Sequence, residues 1–317
     1  MNKRQLEQTN LSIAPLVLGS NVFGWTIDEQ ASFAVLDSFI EYGFNAIDTA
    51  DVYSAWIPGN CGGEAETIIG RWLKARPGVR DKVVIFTKVG GDLGRPGETG
   101  LSERWINKGV EASLSRLGVE AIDLLFSHIP DAGTPYEETL AAYAGLLKAG
   151  KIRAIGASNH DAVQLEEALT VADRTGLPRY QVLQPEYNLY DRASFEGPLR
   201  NLSVAQGLGV VTYFSLASGF LTGKYRQEAD LDGTARSGMV GKYLNAKGKA
   251  ILQGLDEVAD AHRAKPVEVA LAWLMARQGV TAPIASATSP SHVKSFASAV
   301  DLHLSDDETI LLEKAGG

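Results

Sequence analysis

The chain runs to 317 residues, 45% of them hydrophobic and 21% charged, the balance of an ordinary globular protein rather than a disordered one. With 30 Lys plus Arg against 38 Asp plus Glu the formal charge is −8, which argues against a general affinity for nucleic acid or for an anionic membrane surface. Cys61 is the only cysteine, so an internal disulfide and a thiolate zinc site are excluded, and the five histidines show no close ligand spacing. No apolar run is long enough to span a bilayer or to form a signal peptide, and the expected location is cytoplasmic.

In chain order, short apolar runs alternate with amphipathic stretches. Leu16 to Leu18 leads to a helical pattern over Glu29 to Tyr42, and Ala46 to Ile47 leads to one over Ala65 to Ala75. Val83 to Thr87 is followed by Ser102 to Leu117, Leu124 to Ser127 by Tyr136 to Ala149, and Ile152 to Gly156 by Asp161 to Thr175. Val182 to Gln184 precedes Phe195 to Leu208, and the runs Val210 to Tyr213 and Ala282 to Ala285 complete a set of eight. Helix start and stop signals accompany several of these, such as Ser102 before Glu103, Gly118 after Leu117 and Gly176-Leu177-Pro178 after Thr175.

Eight strands alternating with helices predict one (β/α)8 TIM barrel spanning 1–317, with a short N-terminal segment before the first barrel strand. A doubly wound sheet should carry G-x-G-x-x-G after its first strand, and none is present. The stretch Gly219-Phe220-Leu221-Thr222-Gly223-Lys224-Tyr225 only superficially matches a phosphate loop: three residues separate its glycines, and Tyr stands where Ser or Thr should hold magnesium. Gly219 to Gly248, Gly-rich and polar, is a long loop of the kind that is functional or disordered.

In a barrel, chemistry collects where strands deliver residues to the C-terminal face. Those positions here are Ser20-Asn21, Asp48, Lys88, His128, Ser158-Asn159, Gln184, Tyr213 and Ser286. Singly, each has a structural explanation, but an Asp, a Lys and a His converging at one mouth mark a functional cleft. Tyr53, five residues beyond Asp48, can fold back over that mouth beside Asp48 and Lys88. An ammonium next to a phenol stabilises the phenolate and lowers a pKa that starts near about 10, which gives a usable acid. Asp48 would hold the ammonium and His128 would hydrogen-bond a substrate oxygen. A proton donor with an oxygen-orienting group suits carbonyl reduction, provided a hydride source lies alongside.

The same residues carry a resemblance. Gly43-Phe44-Asn45-Ala46-Ile47-Asp48-Thr49-Ala50 with Tyr53 and Glu66-Thr67-Ile68-Ile69-Gly70, then Phe86-Thr87-Lys88, then Asp123 to Asp131 around His128, are similar to the signatures of the aldo-keto reductases. Gly156-Ala157-Ser158-Asn159 and Gln184-Pro185-Glu186-Tyr187-Asn188 complete the match, which covers essentially the whole chain and extends to the potassium channel β-subunits. The resemblance implies an NADPH-dependent reductase, with NADH also admitted, acting on a small aldehyde or ketone. In it Tyr53 is the general acid, Asp48 and Lys88 tune it, and His128 orients the carbonyl. It further implies that Ser158, Asn159 and Gln184 hold the nicotinamide carboxamide while Tyr213 stacks on the ring. Ser20, Asn21 and Val22 line the cofactor beside Asp48. Phe214, Ser215, Leu216, Ala217, Ser218, Gly219, Leu221, Gly223 and Lys224 form the segment that wraps the pyrophosphate.

The match thins at the adenosine end, which the resemblance assigns to Ser286, Ala287, Thr288 and His292. Ser286 stands in place of a lysine, His292 in place of an arginine and Phe296 in place of an amide. One weakly charged imidazole instead of a guanidinium predicts only a modest advantage of NADPH over NADH, unless Lys294 turns inward. Trp25 and Trp56, in the loops after the first two strands, either wall an apolar substrate pocket above Tyr53 and His128 or pack loop against loop. Trp72, Trp105 and Trp273 fall in helical patterns and are expected to pack helix on barrel. Two rivals remain: a glycosidase using Asp48 and Glu186, disfavoured by the ammonium beside Asp48, and a cofactor-binding regulatory subunit of the channel β type with little turnover.

Overall fold

The computed structural model describes residues 1–317, and in it every one of the eight apolar runs becomes a parallel strand of a single ring. The strands are Val17–Gly19 (β1), Ala46–Asp48 (β2), Val84–Val89 (β3), Leu124–Ser127 (β4), Ile155–Ser158 (β5), Val182–Gln184 (β6), Gly209–Thr212 (β7) and Ala282–Ala285 (β8). Each pairs with its sequence neighbours, and β8 closes the ring against β1, with Ile284 opposite Val17. The strands are apolar on both faces because helices cover the outside and side chains fill the inside. Ala46, Phe86, Leu124, Phe126, Val182, Val211, Ala282 and Ile284 form the inner packing, while Ile47, Ile85, Leu125, Leu183 and Val210 belong to the larger shell beneath the helices. Large and small alternate inside: a Cβ on Gly156 would sit 2.5 Å from the Phe126 ring, so only glycine leaves room for that aromatic.

Helices follow the strands as Glu29–Glu41 (α1), Glu64–Ala75 (α2), Glu103–Leu117 (α3), Tyr136–Lys148 (α4), Ala162–Thr175 (α5) and Pro198–Ala205 (α6). Their ends obey the expected chemistry. Ser102 accepts from the Trp105 N–H, Asp161 and Gln164 cap one another, and Gly118 and Gly176 end α3 and α5 at φ of 64° and 68°. Trp72, Trp105 and Trp273 are buried between helices and barrel, as their positions predict.

Two strands differ from the sequence reading by more than one residue at an end. Ile152 makes only an isolated bridge to Ile122 and Arg153 turns outward to Asp123, so the fifth strand starts at Ile155. The third strand runs on to Val89 and so contains Lys88. The N-terminal segment forms a small hairpin, Arg4–Gln5 with Ser12–Ile13, whose Leu6 and Ile13 plug the N-terminal end of the barrel.

The segment after β7 is ordered. It passes through short helical turns and a four-residue helix, Ser237–Val240 (α7), into Ala246–His262 (α8) and Pro266–Met275 (α9). Arg226 ties it to α8 through two hydrogen bonds to Asp256, at 2.6 and 2.8 Å. After β8 come Pro290–Asp301 (α10) and Asp306–Gly316 (α11), the latter packed on α8. Helices α7, α8, α10 and α11 were not among the sequence expectations, and of α9 only the surroundings of Trp273 were read as helical: α9 is buried on nearly every side, so its pattern has no polar stripe.

Helices α2 and α3 cross at Gly70, where an added Cβ would stand 2.1 Å from the carbonyl oxygen of Arg116. Backbone cannot yield as a side chain does. Gly70→Ala is expected to destabilise the fold by about 3 kcal/mol, read as a lowered urea midpoint with unchanged slope.

Candidate active site

A strand's side chains alternate, so a residue two positions beyond an inner-packing residue also points inward, one layer nearer the mouth. Asp48 follows Ala46 in this way, Lys88 follows Phe86, and Gln184 follows Val182; just past the strand ends, His128 follows Phe126 and Tyr213 follows Val211. The barrel therefore delivers these groups to one place. Asp48 and Lys88 are buried to 2% and 1% exposure and form an ion pair at 2.7 Å. The Lys88 ammonium donates also to the Thr49 carbonyl at 2.8 Å and to the Tyr53 hydroxyl oxygen at 2.8 Å, while the Tyr53 hydroxyl donates to Asp48 at 3.2 Å. The Gln184 amide donates to the other Asp48 oxygen at 2.8 Å. The loop after β2 does fold back as its spacing allows, and all four sequence-derived site residues come together, with the His128 ring 6.2 Å from that of Tyr53.

The electrostatics correct one expectation. Burial, and then the Asp48 carboxylate, push the Tyr53 phenol well above the ordinary range; the ammonium does not lower it. Tyr53 is thus a protonated phenol throughout the neutral range, with the ammonium 2.8 Å from its oxygen to support the anion that forms when the proton leaves. Burial also pushes Lys88 down, opposed by Asp48. Burial and then Lys88 push the His128 imidazole down to about 3, and its Nδ1 has no partner within the protein.

The residues expected to meet a dinucleotide line one continuous wall. Ser158 donates to the Gln184 carbonyl at 3.0 Å; Asn159, at φ 59°, donates to the His128 carbonyl at 2.8 Å and accepts from the Tyr213 hydroxyl at 2.6 Å. This fixes the half-buried Tyr213 ring at the mouth, next to an exposed Phe214. Phe214, Ala217 and Ser218 have φ of 51°, 47° and 58°, and Gly219 follows at 97°. Left-handed conformations at non-glycine residues cost on the order of 1–3 kcal/mol each and gather where backbone is shaped for a ligand. Leu216, Gly223 and the exposed Lys224 continue this wall. Val22, Ser215, Ala217, Leu221 and Ala287 are buried to 1% exposure or less, backbone and side chain alike. The Ser20 hydroxyl is fully buried without a partner, and Asn21 accepts from Ser286 at 2.6 Å. A flat aromatic face, an orphaned buried hydroxyl and a strained cradle ending in an unpaired lysine fit a dinucleotide.

At the adenosine end the backbone N–H and hydroxyl of Thr288 approach His292 Nδ1 at 3.3 Å. Burial and then the charges of Lys224 and Lys265 push this imidazole down. Lys294 stays exposed and makes no such contact.

Two cations went unnoticed in the sequence. Lys265 comes from the start of α9 and reaches the Ser295 hydroxyl at 3.3 Å; Arg236 stacks over the Trp25 ring at 5.3 Å with no acidic partner. Neither lies in a strand-end motif, and the only signal was that Arg236 is a basic residue within the Gly-rich segment and Lys265 one in the stretch that follows it. Trp25 itself packs edge-on against Trp56 at 5.5 Å, and Trp56 against Tyr53 at 6.3 Å. Loop therefore packs against loop here, and Trp56 is left half exposed beside Tyr53. Cys61 is exposed, and its carbonyl accepts from Arg95 at 3.0 Å.

Because the His128 imidazole is held neutral, its nitrogen NMR signals should not move between about pH 5 and 8, the range in which an ordinary histidine titrates. A titration midpoint near the ordinary value would contradict this environment.

Comparison with known proteins agrees with this geometry. The family model described as "Aldo/keto reductase family" matches residues 15–316. The chain is 32% identical to a "Probable voltage-gated potassium channel subunit beta" of Arabidopsis thaliana, over 95% of this chain and 92% of that protein. It is 31% identical to "Protein tas" of Escherichia coli, covering 97% of this chain and 95% of that one. It is also 31% identical to the "Uncharacterized oxidoreductase YrpG" of Bacillus subtilis, covering 98% and 94%. With a closed eight-stranded barrel, a buried Asp-Lys-Tyr cluster at its mouth and a family match across nearly the whole length, the chain belongs to the aldo/keto reductase family.

Proposed function

We propose that this protein reversibly reduces an aldehyde or ketone to the alcohol, drawing hydride from NADPH in preference to NADH. The observation that carries the reading is the Tyr53 hydroxyl, 2.8 Å from the Lys88 ammonium and 3.2 Å from Asp48, beside the Trp56 ring. A nicotinamide bound along the Tyr213 wall supplies the hydride. Tyr213, locked by Asn159, presents a flat face for such a ring, and the Gln184 amide, whose nitrogen is committed to Asp48, keeps its oxygen free to accept from a carboxamide.

Tyr53 gives its proton to the carbonyl oxygen as negative charge develops there. Lys88, already in hydrogen-bond contact, stabilises the phenolate left behind, and Asp48 anchors the ammonium. The neutral His128 orients the carbonyl without competing as an acid. Tyr53→Phe keeps the ring and removes the proton. It is expected to cut carbonyl reduction by on the order of a hundredfold or more while leaving the cofactor dissociation constant within about twofold. Retained turnover with an aldehyde panel would dismiss Tyr53 as the donor.

The preference for NADPH follows from Lys224 and Lys265 beside His292, which together offer two permanent charges where the sequence suggested only one imidazole. Lys265→Met should weaken NADPH binding by about tenfold and leave NADH binding unchanged, measured by quenching of protein fluorescence. Equal effects on both dinucleotides would remove Lys265 from phosphate recognition. A second reading, a cofactor-binding regulatory subunit with little turnover, is favoured by the relative named for a channel subunit. The complete Asp48, Tyr53, Lys88 and His128 set supports turnover, and the aldehyde panel separates the two.

A further inference from the structure

Next to the Tyr53–Lys88 pair lies a carboxyl that the reaction above does not use. Asp51, three residues after Asp48 and two before Tyr53, is 2% exposed, and neither side-chain oxygen has a hydrogen-bond partner. Its backbone N–H donates to the Lys88 carbonyl at 3.3 Å, which pins the residue against β3. The charged and titratable groups around it are Lys88 of β3, Glu66 of α2, Arg116 of α3, Tyr143 of α4 and Tyr53 of its own loop. Glu66 is wholly buried and occupies Arg116, which donates to it from Nε at 2.7 Å and pairs with it through Nη2 at 2.7 Å, and it accepts from the Thr87 hydroxyl at 2.5 Å. Lys88 is committed to Asp48, Thr49 and Tyr53. The charged donors nearby are therefore committed elsewhere, and only the backbone N–H of Val52 approaches the Asp51 carboxyl, without forming a well-aligned hydrogen bond.

An ionised carboxylate without a donor is among the costliest groups to bury, whereas its neutral form is tolerated. Burial first, and then the like charge of Glu66, push the Asp51 carboxyl up to about 8 against the opposing pull of Arg116 and Lys88. The charge count ties this to the chemistry. With Asp51 neutral, Asp48 and Lys88 compensate one another, and departure of the Tyr53 proton leaves one net negative charge in the cluster. With Asp51 ionised, the same departure leaves two, in a poorly solvated site where repulsion is strong.

We propose that Asp51 is a positioning residue acting through Lys88: enclosed as a neutral carboxylic acid, it leaves the ammonium's charge to Tyr53, and its ionisation closes the proton-donating state on the alkaline side. This rests on Tyr53 being the donor.

The test is the pH profile of kcat/KM for aldehyde reduction at saturating cofactor, in the wild type, Asp51→Asn and Asp51→Glu. The wild type should lose activity above about pH 8, as the carboxyl ionises. Asp51→Asn should hold its plateau for about one further pH unit, with plateau kcat within about threefold of wild type, and Asp51→Glu should restore a limb near the original. An unmoved limb in Asp51→Asn, or a loss equal at every pH, overturns the proposal. Infrared spectroscopy of the wild type needs neither a variant nor turnover: a neutral-carboxyl C=O band persisting to about pH 8 supports the proposal and its absence at neutral pH overturns it. A wild type that shows this band but reduces no carbonyl removes Tyr53 as donor, and with it the role of Asp51, so the two failures are told apart.

Discussion

One ammonium group organises the mouth of this barrel. The Lys88 nitrogen donates to Asp48, to Thr49 and to Tyr53, each within 2.8 Å, and its stem runs through the barrel interior at 1% exposure. A lysine so deeply buried is tolerated because its three donor positions are all filled, one of them by a carboxylate. Removing one partner of such a pair typically costs about 3–5 kcal/mol, since the other charge is left in a poorly solvated place. Asp48 in turn holds Gln184 on its second oxygen, and Ser158 and Asn159 link the next strands to Gln184, His128 and Tyr213. The network spans β2 through the loop after β7, so the geometry of the reacting groups and of the cofactor wall is set jointly.

Much of this was legible in the sequence because a barrel strand obeys a period of two. Ala46 and Asp48, Phe86 and Lys88, Phe126 and His128, and Val182 and Gln184 are each an apolar residue and a polar one on the same inward face, and the switch from one to the other marks the rim. Tyr53 was legible for a different reason, a loop length that permits only a short return. What escaped notice has equally physical causes. The N-terminal hairpin has two residues per strand, too few for any pattern, and α9 is apolar all round. Arg236 and Lys265 act from outside the strand ends, and their placement depends on how the chain after β7 folds over the rim, which is tertiary information.

Charge was the quantity the sequence misjudged. The ammonium next to Tyr53 suggested a lowered phenol pKa, yet proximity to Lys88 is outweighed by burial and by Asp48, which lies almost as near. The distinction affects how the site operates. A phenol that is a strong acid would be partly ionised before substrate arrives and could donate only part of the time. A phenol held protonated, with stabilisation available to its anion, keeps the proton in place until charge develops on the carbonyl oxygen, which is the condition for differential stabilisation of the transition state. At the adenosine end, too, charges from other elements matter. His292 read alone implied weak phosphate recognition, but two lysines from other elements share its surroundings and suppress its own charge.

The cofactor wall and the proton-donating cluster answer to different demands, and this bears on the division within the family between enzymes and regulatory subunits. Left-handed backbone at Phe214, Ala217 and Ser218 and the locked Tyr213 ring would serve a bound dinucleotide whether or not turnover follows. The buried phenol beside an ammonium, and the histidine kept neutral at the same mouth, add nothing to dinucleotide binding as proposed. Both carry desolvation costs that packing alone would remove by apolar substitution. Their joint presence in one cluster, with the enclosed Asp51 next to it, is what the proposed proton transfer would account for and stability alone would not.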